Sequence, residues 1–586
     1  MCGIFGFLDY KNESVASGII EGMALALKHR GPDQTGIKKE VFEGGCAYLG
    51  ANRLSIIDLS TPANQPLGNE DGTIWVFFNG EIYNFRELRE KLLSKGHNFR
   101  SLSDTEVIVH LYEESGSSFP EELDGMFAIA VWDSKLKRLV LSRDRTGKKP
   151  LYYHSENSKF TFASELKGLF VCPWVKRSPS LKAIPEYLMY GYVRSPDTLY
   201  EKIQQLPPAT TMVIEKDGST ETHKYWELKT EKIPITEPQA AGKIKELVLA
   251  AVSKRLVSDV PLGVLLSGGL DSAIITGVAV QASPGRVRTF SAGLADEASF
   301  DERKYAALAA KYFKTEHTEF SVKIDSAELA CKLISAFDLP FGDSSALPTY
   351  LICEEAKKQV TVVLTGDGGD ELFAGYDRFR AALLAEKLPE VAFLAGRLFS
   401  RVLPRTYGVF DLKKRLERFC YGKRLDPLSR HHSWLTVFNE EFLEKFAGQK
   451  LAGFMKTAGE KERVLLSGLE GEGLLDKLLL LNFYSYLPDD LNMKTDRASM
   501  AVSLEARAPF LDTALTEYVF SLPEKYKVRK GISKYILRKA FGGFVPEEIL
   551  NRRKHGFGAP VSGWFRKELA GIFKAKVLSV SSRSAE

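Results

Sequence analysis

The sequence predicts two domains of mixed class, an α+β layered sandwich followed by an α/β domain with a parallel sheet and a helical C-terminal part, and three patterns carry that expectation. Up to about Pro208, short apolar runs of strand length are broken by turn residues. Beyond a polar stretch near Lys229 to Pro238, apolar strands alternate with helical segments, as crossover connections between parallel strands require. From Tyr376 onward the pattern is mostly helical. The expected boundaries are 1–210 for the first domain, 211–240 for a linker, 241–575 for the second domain and 576–586 for a loose tail ending Ser581-Ser582-Arg583-Ser584-Ala585-Glu586.

In the first domain the chain opens Met1-Cys2-Gly3-Ile4-Phe5-Gly6-Phe7. Loss of the initiator methionine would put a thiol and a free α-amine on Cys2. An α-amine titrates at about pH 8, roughly two units below a lysine, so part of it is free at neutral pH to take the thiol proton. A cysteine tucked into a strand as a small buried hydrophobe is the other reading. A helix is expected from Val15 to Leu27 and another from Asn84 to Lys95, both laid on an antiparallel sheet. Arg53 closes an apolar stretch and offers the fork that pairs with a carboxylate, or an ordinary structural ion pair. Asn79-Gly80-Glu81 follows the strand-like Ile74-Trp75-Val76-Phe77-Phe78, where an amide and a backbone N–H could hold an oxyanion, or form a turn. Asp104 stands ahead of a helical run and could meet an ammonium, or, like Ser103, cap that helix. Strands are expected at Met126–Trp132 and Arg138–Ser142, with hairpins around Ser155–Ser158 and Lys216-Asp217-Gly218.

In the second domain Val264-Leu265-Leu266 runs into Ser267-Gly268-Gly269-Leu270-Asp271-Ser272 and then a helical segment. Strand, glycine loop and helix start make a phosphate cradle, with Asp271 able to hold magnesium. No G-x-x-x-x-G-K-[ST] is present, so this is not the kinase-type loop. The same logic recurs at Val362-Val363-Leu364-Thr365-Gly366-Asp367-Gly368-Gly369-Asp370, where a turn rich in Asp and Gly is the bland alternative. Lys534 is expected within a helix at Ser533–Arg538; a solvated lysine is the commoner fate of such a residue.

Taken together, MCGIFGF, HRGPD at His29 to Asp33, NRLSIID, FFNGEIYN and SDTEV resemble glutamine amidotransferases with an N-terminal cysteine nucleophile, and SGGLDS resembles the pyrophosphate loop of enzymes that split ATP into AMP and pyrophosphate. Both in this order, from Cys2 to about Trp564, resemble the glutamine-dependent asparagine synthetase family. The resemblance implies an N-terminal nucleophile amidohydrolase sandwich of αββα type followed by an ATP pyrophosphatase domain. It implies that Cys2 attacks the glutamine amide, that Asn79 and Gly80 form the oxyanion hole, and that Arg53, Glu81 and Asp104 hold the amino-acid end. It further implies that Leu266, Ser267, Gly268, Gly269, Asp271, Ser272, Ala292, Thr365 and Gly366 meet ATP, that Asp271 and Asp370 meet Mg2+, and that Lys534 stabilises charge. The expected reaction converts aspartate, glutamine and ATP to asparagine through an aspartyl adenylate, with ammonia passing along a dry internal path. Two departures fall on the acceptor side: Asp367 stands where the family has glutamate, and Phe341-Gly342-Asp343-Ser344-Ser345 replaces a Thr and Arg segment. Amidation of another carboxylate, such as a uronic acid, and a non-catalytic glutamine- or nucleotide-binding regulator therefore stay open at this point. Met493–Met500 and Leu504–Asp512 also have the family look, with charges expected to line or brace the synthetase cleft. A homodimer is implied by the family alone.

Composition narrows the setting. A 586-residue chain that is 44% hydrophobic and 26% charged can bury two cores. A net charge of +5 with no basic run or RNA-binding fingerprint argues against a nucleic-acid partner. Six scattered cysteines without a C-x-x-C predict free thiols in a reducing cytoplasm. No run approaches a membrane span or a signal peptide, and no metal-ligand spacing is evident among the nine histidines.

Overall fold

The computed structural model describes residues 2–13, 18–294, 301–322, 326–404, 411–422, 425–446, 454, 467, 472–554 and 570–576. Met1, the helix start at Val15, Trp564 and the tail from Val577 lie outside the described residues.

Two six-stranded sheets, each paired antiparallel throughout, stack face to face in the N-terminal part. The first orders Ile203–Gln205, Tyr152–Glu156, Lys159–Ala163, Gly3–Asp9, Gly45–Arg53 and Gln34–Phe42; the second orders Thr220–Lys224, Thr210–Ile214, Arg138–Arg143, Gly125–Asp133, Ile74–Ile82 and Leu67–Gly68. Strand alternation builds the layers. In Ile74–Ile82, Phe77 points between the sheets at Ile4, Leu49 and Trp132. Its neighbours Val76 and Phe78 point outward against Leu88 and Ile108 of the helices Phe85–Ser94 and Glu106–Ser115. On the other side Phe5 and Phe7 pack on Met23 and Leu27, at the helix Ile19–Ala26 and its end. The arrangement is helix, sheet, sheet, helix. The hairpin at Lys216–Gly218 joins two strands of the second sheet, so the sandwich continues through Lys224, past the boundary near 210 expected from sequence.

The second domain opens with the helix Glu237–Arg255, started by a capping box between Thr236 and Gln239. Its five-stranded sheet is parallel and ordered Glu316–Val322, Arg288–Leu294, Leu262–Leu265, Val362–Leu364, Glu505–Arg507. The chain steps outward to one side of Leu262–Leu265 and then returns to build the other side, which makes a topological switch point at the carboxyl ends of Leu262–Leu265 and Val362–Leu364. The strand Glu505–Arg507 is an addition to the helical pattern expected there. Three residues, two of them charged, carry no strand periodicity. The helix Leu474–Leu481 passes through a π-helical segment, Asn482–Asn492, into the helix Met493–Met500, which packs between the two domains.

Candidate active sites

Cys2 is buried at the head of the strand Gly3–Asp9. Its N–H donates to Asn79 Oδ1 at 3.0 Å and its carbonyl accepts from Arg30 Nε at 3.1 Å, so the residue is fixed at both ends. The Sγ lies 3.6 Å from Gln65 Nε2. Burial pushes the thiol up, against a Leu54 backbone hydrogen bond and the charge of Arg53.

The strand beside it runs to Ile82, so Asn79-Gly80-Glu81 lies within a strand rather than at the strand end expected from sequence. Phe127, opposite Gly80, spends its N–H on Asp144 Oδ2 and its carbonyl on Asp144 N, so this pair exchanges no backbone bonds. On the other edge Phe78 N–H donates to Gln65 Oε1 at 2.7 Å and Ile82 N–H to Asp104 Oδ2 at 2.8 Å. The two-residue period therefore turns the Gly80 N–H to that same edge, beside Gln65 and the thiol. A Cβ on Gly80 would come 2.0 Å from the Met126 carbonyl oxygen, which explains the glycine. Asn79 Nδ2 is buried without a hydrogen-bond partner.

Asp104 caps nothing: Thr105 precedes the helix Glu106–Ser115 with no side-chain cap bond, Ser103 Oγ accepts from Thr105 N, and Asp104 is held on Ile82 instead. Burial, with Glu505 nearby, pushes Asp104 up to about 6. The Arg53 fork is pinned by Asn64 Oδ1 and the carbonyls of Ile57 and Asp58, at 3.1, 3.1 and 2.5 Å. Glu81 meets an arginine of the second domain, with Oε1 3.1 Å from Arg507 Nη2, while Arg507 Nε donates to Glu505 Oε1 at 2.6 Å. Burial and the neighbouring carboxylates Glu505 and Asp104 push Glu81 up against that pairing.

A cavity of about 1010 Å3 opens at the switch point of the parallel sheet. Of the residues singled out from sequence, Leu266, Ser267, Gly269, Asp271, Ser272, Ala292, Thr365, Gly366, Asp367, Asp370 and Lys534 line it. Gly268 sits behind the loop at φ +74°, where a Cβ would come 2.5 Å from Ala306 N. Gly269 precedes the helix Leu270–Ala282, whose start faces the cavity. Lys534 stands just before the helix Tyr535–Ala540, not inside it, with left-handed φ 54°. It is buried, with Nζ 2.5 Å from both Asp271 Oδ2 and Asp370 Oδ1. Lys554 bonds the other oxygen of Asp370. The two lysines hold Asp370 far below the usual carboxylate range against its burial, whereas burial and Asp370 itself push Asp271 up. Asp271 Oδ1 is buried without a hydrogen-bond partner. Elsewhere along the cavity Lys494 Nζ donates to Asp343 Oδ2 at 2.8 Å and Ser345 Oγ at 2.7 Å, and Asp367 Oδ2 accepts from Thr365 and Thr495 at 2.9 and 3.1 Å.

The helix Met493–Met500 touches both sites. Lys494 and Thr495 face the cavity, while the next residue, Asp496, takes a two-pronged hold from Arg30 at 2.8 and 3.0 Å. Arg30 is the residue bonded to the Cys2 carbonyl, and it also donates to Glu165 Oε1 at 2.6 Å. Sequence reasoning gave no role to Arg30, Gln65 or Lys554, and to Lys494 and Arg507 only that of charges lining or bracing the cleft. Arg30 stood in view within HRGPD; Gln65 and Lys554 lie outside the motifs singled out.

The sequence profile of the asparagine synthase family matches residues 243–586, and that of the glutamine amidotransferase domain matches residues 1–226. Asparagine synthetase [glutamine-hydrolyzing] 1 of Bacillus subtilis is 32% identical over 97% of this chain and 88% of its own length. A putative asparagine synthetase [glutamine-hydrolyzing] 2 of Methanocaldococcus jannaschii is 34% identical over 85% and 98%. Amidase chry2 of Gibberella zeae is 27% identical over 96% and 90%.

Proposed function

We propose that this chain, which belongs to the asparagine synthase family and carries an N-terminal glutamine amidotransferase domain, makes asparagine from aspartate, glutamine and ATP, releasing glutamate, AMP and pyrophosphate. The observation that carries the reading is the single helix with one side in the ATP-type cavity and the other bonded through Arg30 to Cys2.

Once Met1 is removed, the Cys2 α-amine, oriented by Asn79 Oδ1, takes the thiol proton, and the thiolate attacks the glutamine carboxamide carbon. The unpaired Asn79 Nδ2 and the edge-facing Gly80 N–H receive the oxyanion. Ammonia leaves and water releases glutamate from the thioester. The carboxylate and ammonium of glutamine fall to Arg53, its fork held in place by Asn64 and the carbonyls of Ile57 and Asp58, and to Asp104, held by the Ile82 N–H; Glu81 pairs with Arg507.

In the second site Ser267, Gly269, Ser272 and the start of the following helix hold the phosphates, with Leu266, Ala292, Thr365 and Gly366 along the nucleotide. Asp271 and Asp370, two hard oxygen donors each with one buried carboxylate oxygen lacking a hydrogen-bond partner, suit magnesium and would hold it. Bound there, the ion neutralises phosphate charge. Lys534 adds a fixed cation as the aspartate side-chain carboxylate becomes an adenylate, and ammonia then displaces AMP. The acceptor's ammonium would meet Asp343 and Asp367, which line the same cavity. A cytoplasmic setting is supported by six free cysteines, and a homodimer is the assembly expected on sizing. None of the described helices is long and apolar enough to cross a membrane.

The test is an acceptor screen by mass spectrometry with glutamine and ATP. Asparagine with AMP and pyrophosphate is expected from aspartate; amidation of a uronic acid with none of aspartate would overturn the acceptor.

A further inference from the structure

We propose that Glu70, His97, His110 and Glu113 bind one zinc ion that clamps the outer helix layer of the N-terminal domain. His110 and Glu113 are three residues apart on one helix, and folding brings His97 and Glu70 to them, a cluster that was not expected from sequence. His110 and Glu113 share a face of the helix Glu106–Ser115, His97 lies in the loop after the helix Phe85–Ser94, and Glu70 follows the strand Leu67–Gly68. One ligand atom from each lies within 4.8 Å of all the others.

Four distances define the shape. His110 Nδ1 is 3.1 Å from Glu113 Oε2 and 3.5 Å from Glu70 Oε2; His97 Nδ1 is 3.5 Å from Glu113 Oε2 and 3.7 Å from Glu70 Oε1. Zinc bonds of about 2.0–2.1 Å in a tetrahedron give ligand-to-ligand edges of roughly 3.3–3.4 Å, close to these nitrogen–oxygen separations, with Glu70 offering Oε2 toward His110 and Oε1 toward His97. Each Nδ1 faces a carboxylate oxygen of both glutamates within 3.7 Å, and His110 Nδ1 lies nearest Glu113 Oε2.

The surroundings are those of a metal site as well. His97 Nε2 lies 3.1 Å from Glu114 Oε1, and His110 Nε2 lies 3.9 Å from Glu106 Oε1. The Glu114 carboxylate behind His97 keeps that ring's proton on Nε2 and turns its Nδ1 lone pair inward, whereas His110 Nε2 is buried without a hydrogen-bond partner. The glutamates are also aimed: Glu113 Oε1 accepts from Asn69 Nδ2 and Glu70 Oε1 from Asn98 N, both at 2.8 Å. His110 is buried at 1% side-chain exposure under Phe99, while Glu70 and Glu113 keep 34% and 25%, which leaves the ion a way in. Two nitrogens and two carboxylate oxygens in a tetrahedron suit zinc among the abundant divalent ions. The site is independent of both reaction centres, but it ties down the loop that leads to Asp104.

The test uses the full chain purified without a histidine tag. Elemental analysis should give about one zinc per chain, or, if the protein is stripped, one Co2+ should bind at micromolar concentration with the strong visible bands of a tetrahedral site. Chelation should lower the melting temperature of the wild type by about 5 °C or more, since a ligand bound only to the folded state stabilises it. His97→Ala and Glu70→Gln, both on the accessible side, should keep native circular dichroism and bind Co2+ at least ~10²-fold more weakly. No bound metal, no tetrahedral cobalt spectrum and a melting temperature indifferent to chelator would overturn the proposal and leave a cluster of histidines paired to glutamates.

Discussion

In the proposed mechanism the glutaminase chemistry turns on Asn79, whose two side-chain atoms would have different tasks. Oδ1 holds the Cys2 nitrogen, and Nδ2 is buried with nothing to donate to until an oxyanion arrives. Asn79→Ala should therefore lower kcat for glutamine hydrolysis by about 10²–10³ with little change in KM, measured by glutamate release. Asp104 sets the pH dependence. Burial places it at about 6, so it is charged above that pH and neutral below, and only the charged form can pair with a substrate ammonium. KM for glutamine should rise about tenfold per unit as pH falls below 6, and Asp104→Asn should raise KM at neutral pH and flatten that rise. In the second site, Lys534→Ala should abolish pyrophosphate release with ammonia as nitrogen source while leaving glutaminase activity intact, since the Lys534 ammonium pairs with Asp271 and Asp370 of the second domain. Much at this scale was legible: Cys2, Asn79 and SGGLDS sit in contiguous motifs whose chemistry follows from residue type. The pairing of Glu81 with Arg507 was not, because the partner arrives from the far end of the chain and no local pattern announces it.

At the scale of elements, the helix Met493–Met500 is the part that makes one enzyme of two sites. Its successive side chains diverge by about 100°, so Thr495 and Asp496 reach different domains from adjacent positions. The Arg30–Asp496 pair is fully buried, and removing one partner of such a pair costs about 3–5 kcal/mol by stranding the other charge. Asp496→Asn keeps the shape and most hydrogen bonding but not the charge. It should lower thermal stability and raise the ratio of glutamate released to asparagine formed above one, read by chromatography of both products. The sequence showed a family-like charged stretch here and suggested bracing; it could not show that the brace ends under the thiol. The long strands and the helix Phe85–Ser94 were visible through their periodicity. The short strand Glu505–Arg507 was invisible for want of any. Its place at the sheet edge is fixed by pairing with Val362–Leu364 and by Arg507 reaching the carbonyls of Arg255 and Val257.

At the scale of the whole molecule, the αββα sandwich and the parallel sheet each place their chemistry at a strand-defined point: the exposed edge of Ile74–Ile82 in one, the switch point in the other. The two points share a boundary at which Arg30, Glu165, Asp496 and Arg497 form a buried ionic cluster. Such a cluster is costly to assemble and favours one docking geometry, which suits a molecule that must hand ammonia from one site to the other without water. Fold class was legible because layer patterns follow from composition and period; domain contact was not, because it depends on side chains that look like ordinary surface charges in sequence. The central claim, that Cys2 feeds the adenylation site, is tested most directly with glutamine carrying 15N in its side-chain amide. With aspartate and ATP, the wild-type chain should yield 15N-labelled asparagine together with equal AMP, and Cys2→Ala should make unlabelled asparagine from added ammonia and none from glutamine. Labelled asparagine from the Cys2→Ala chain, or wild-type product without the label, would contradict it.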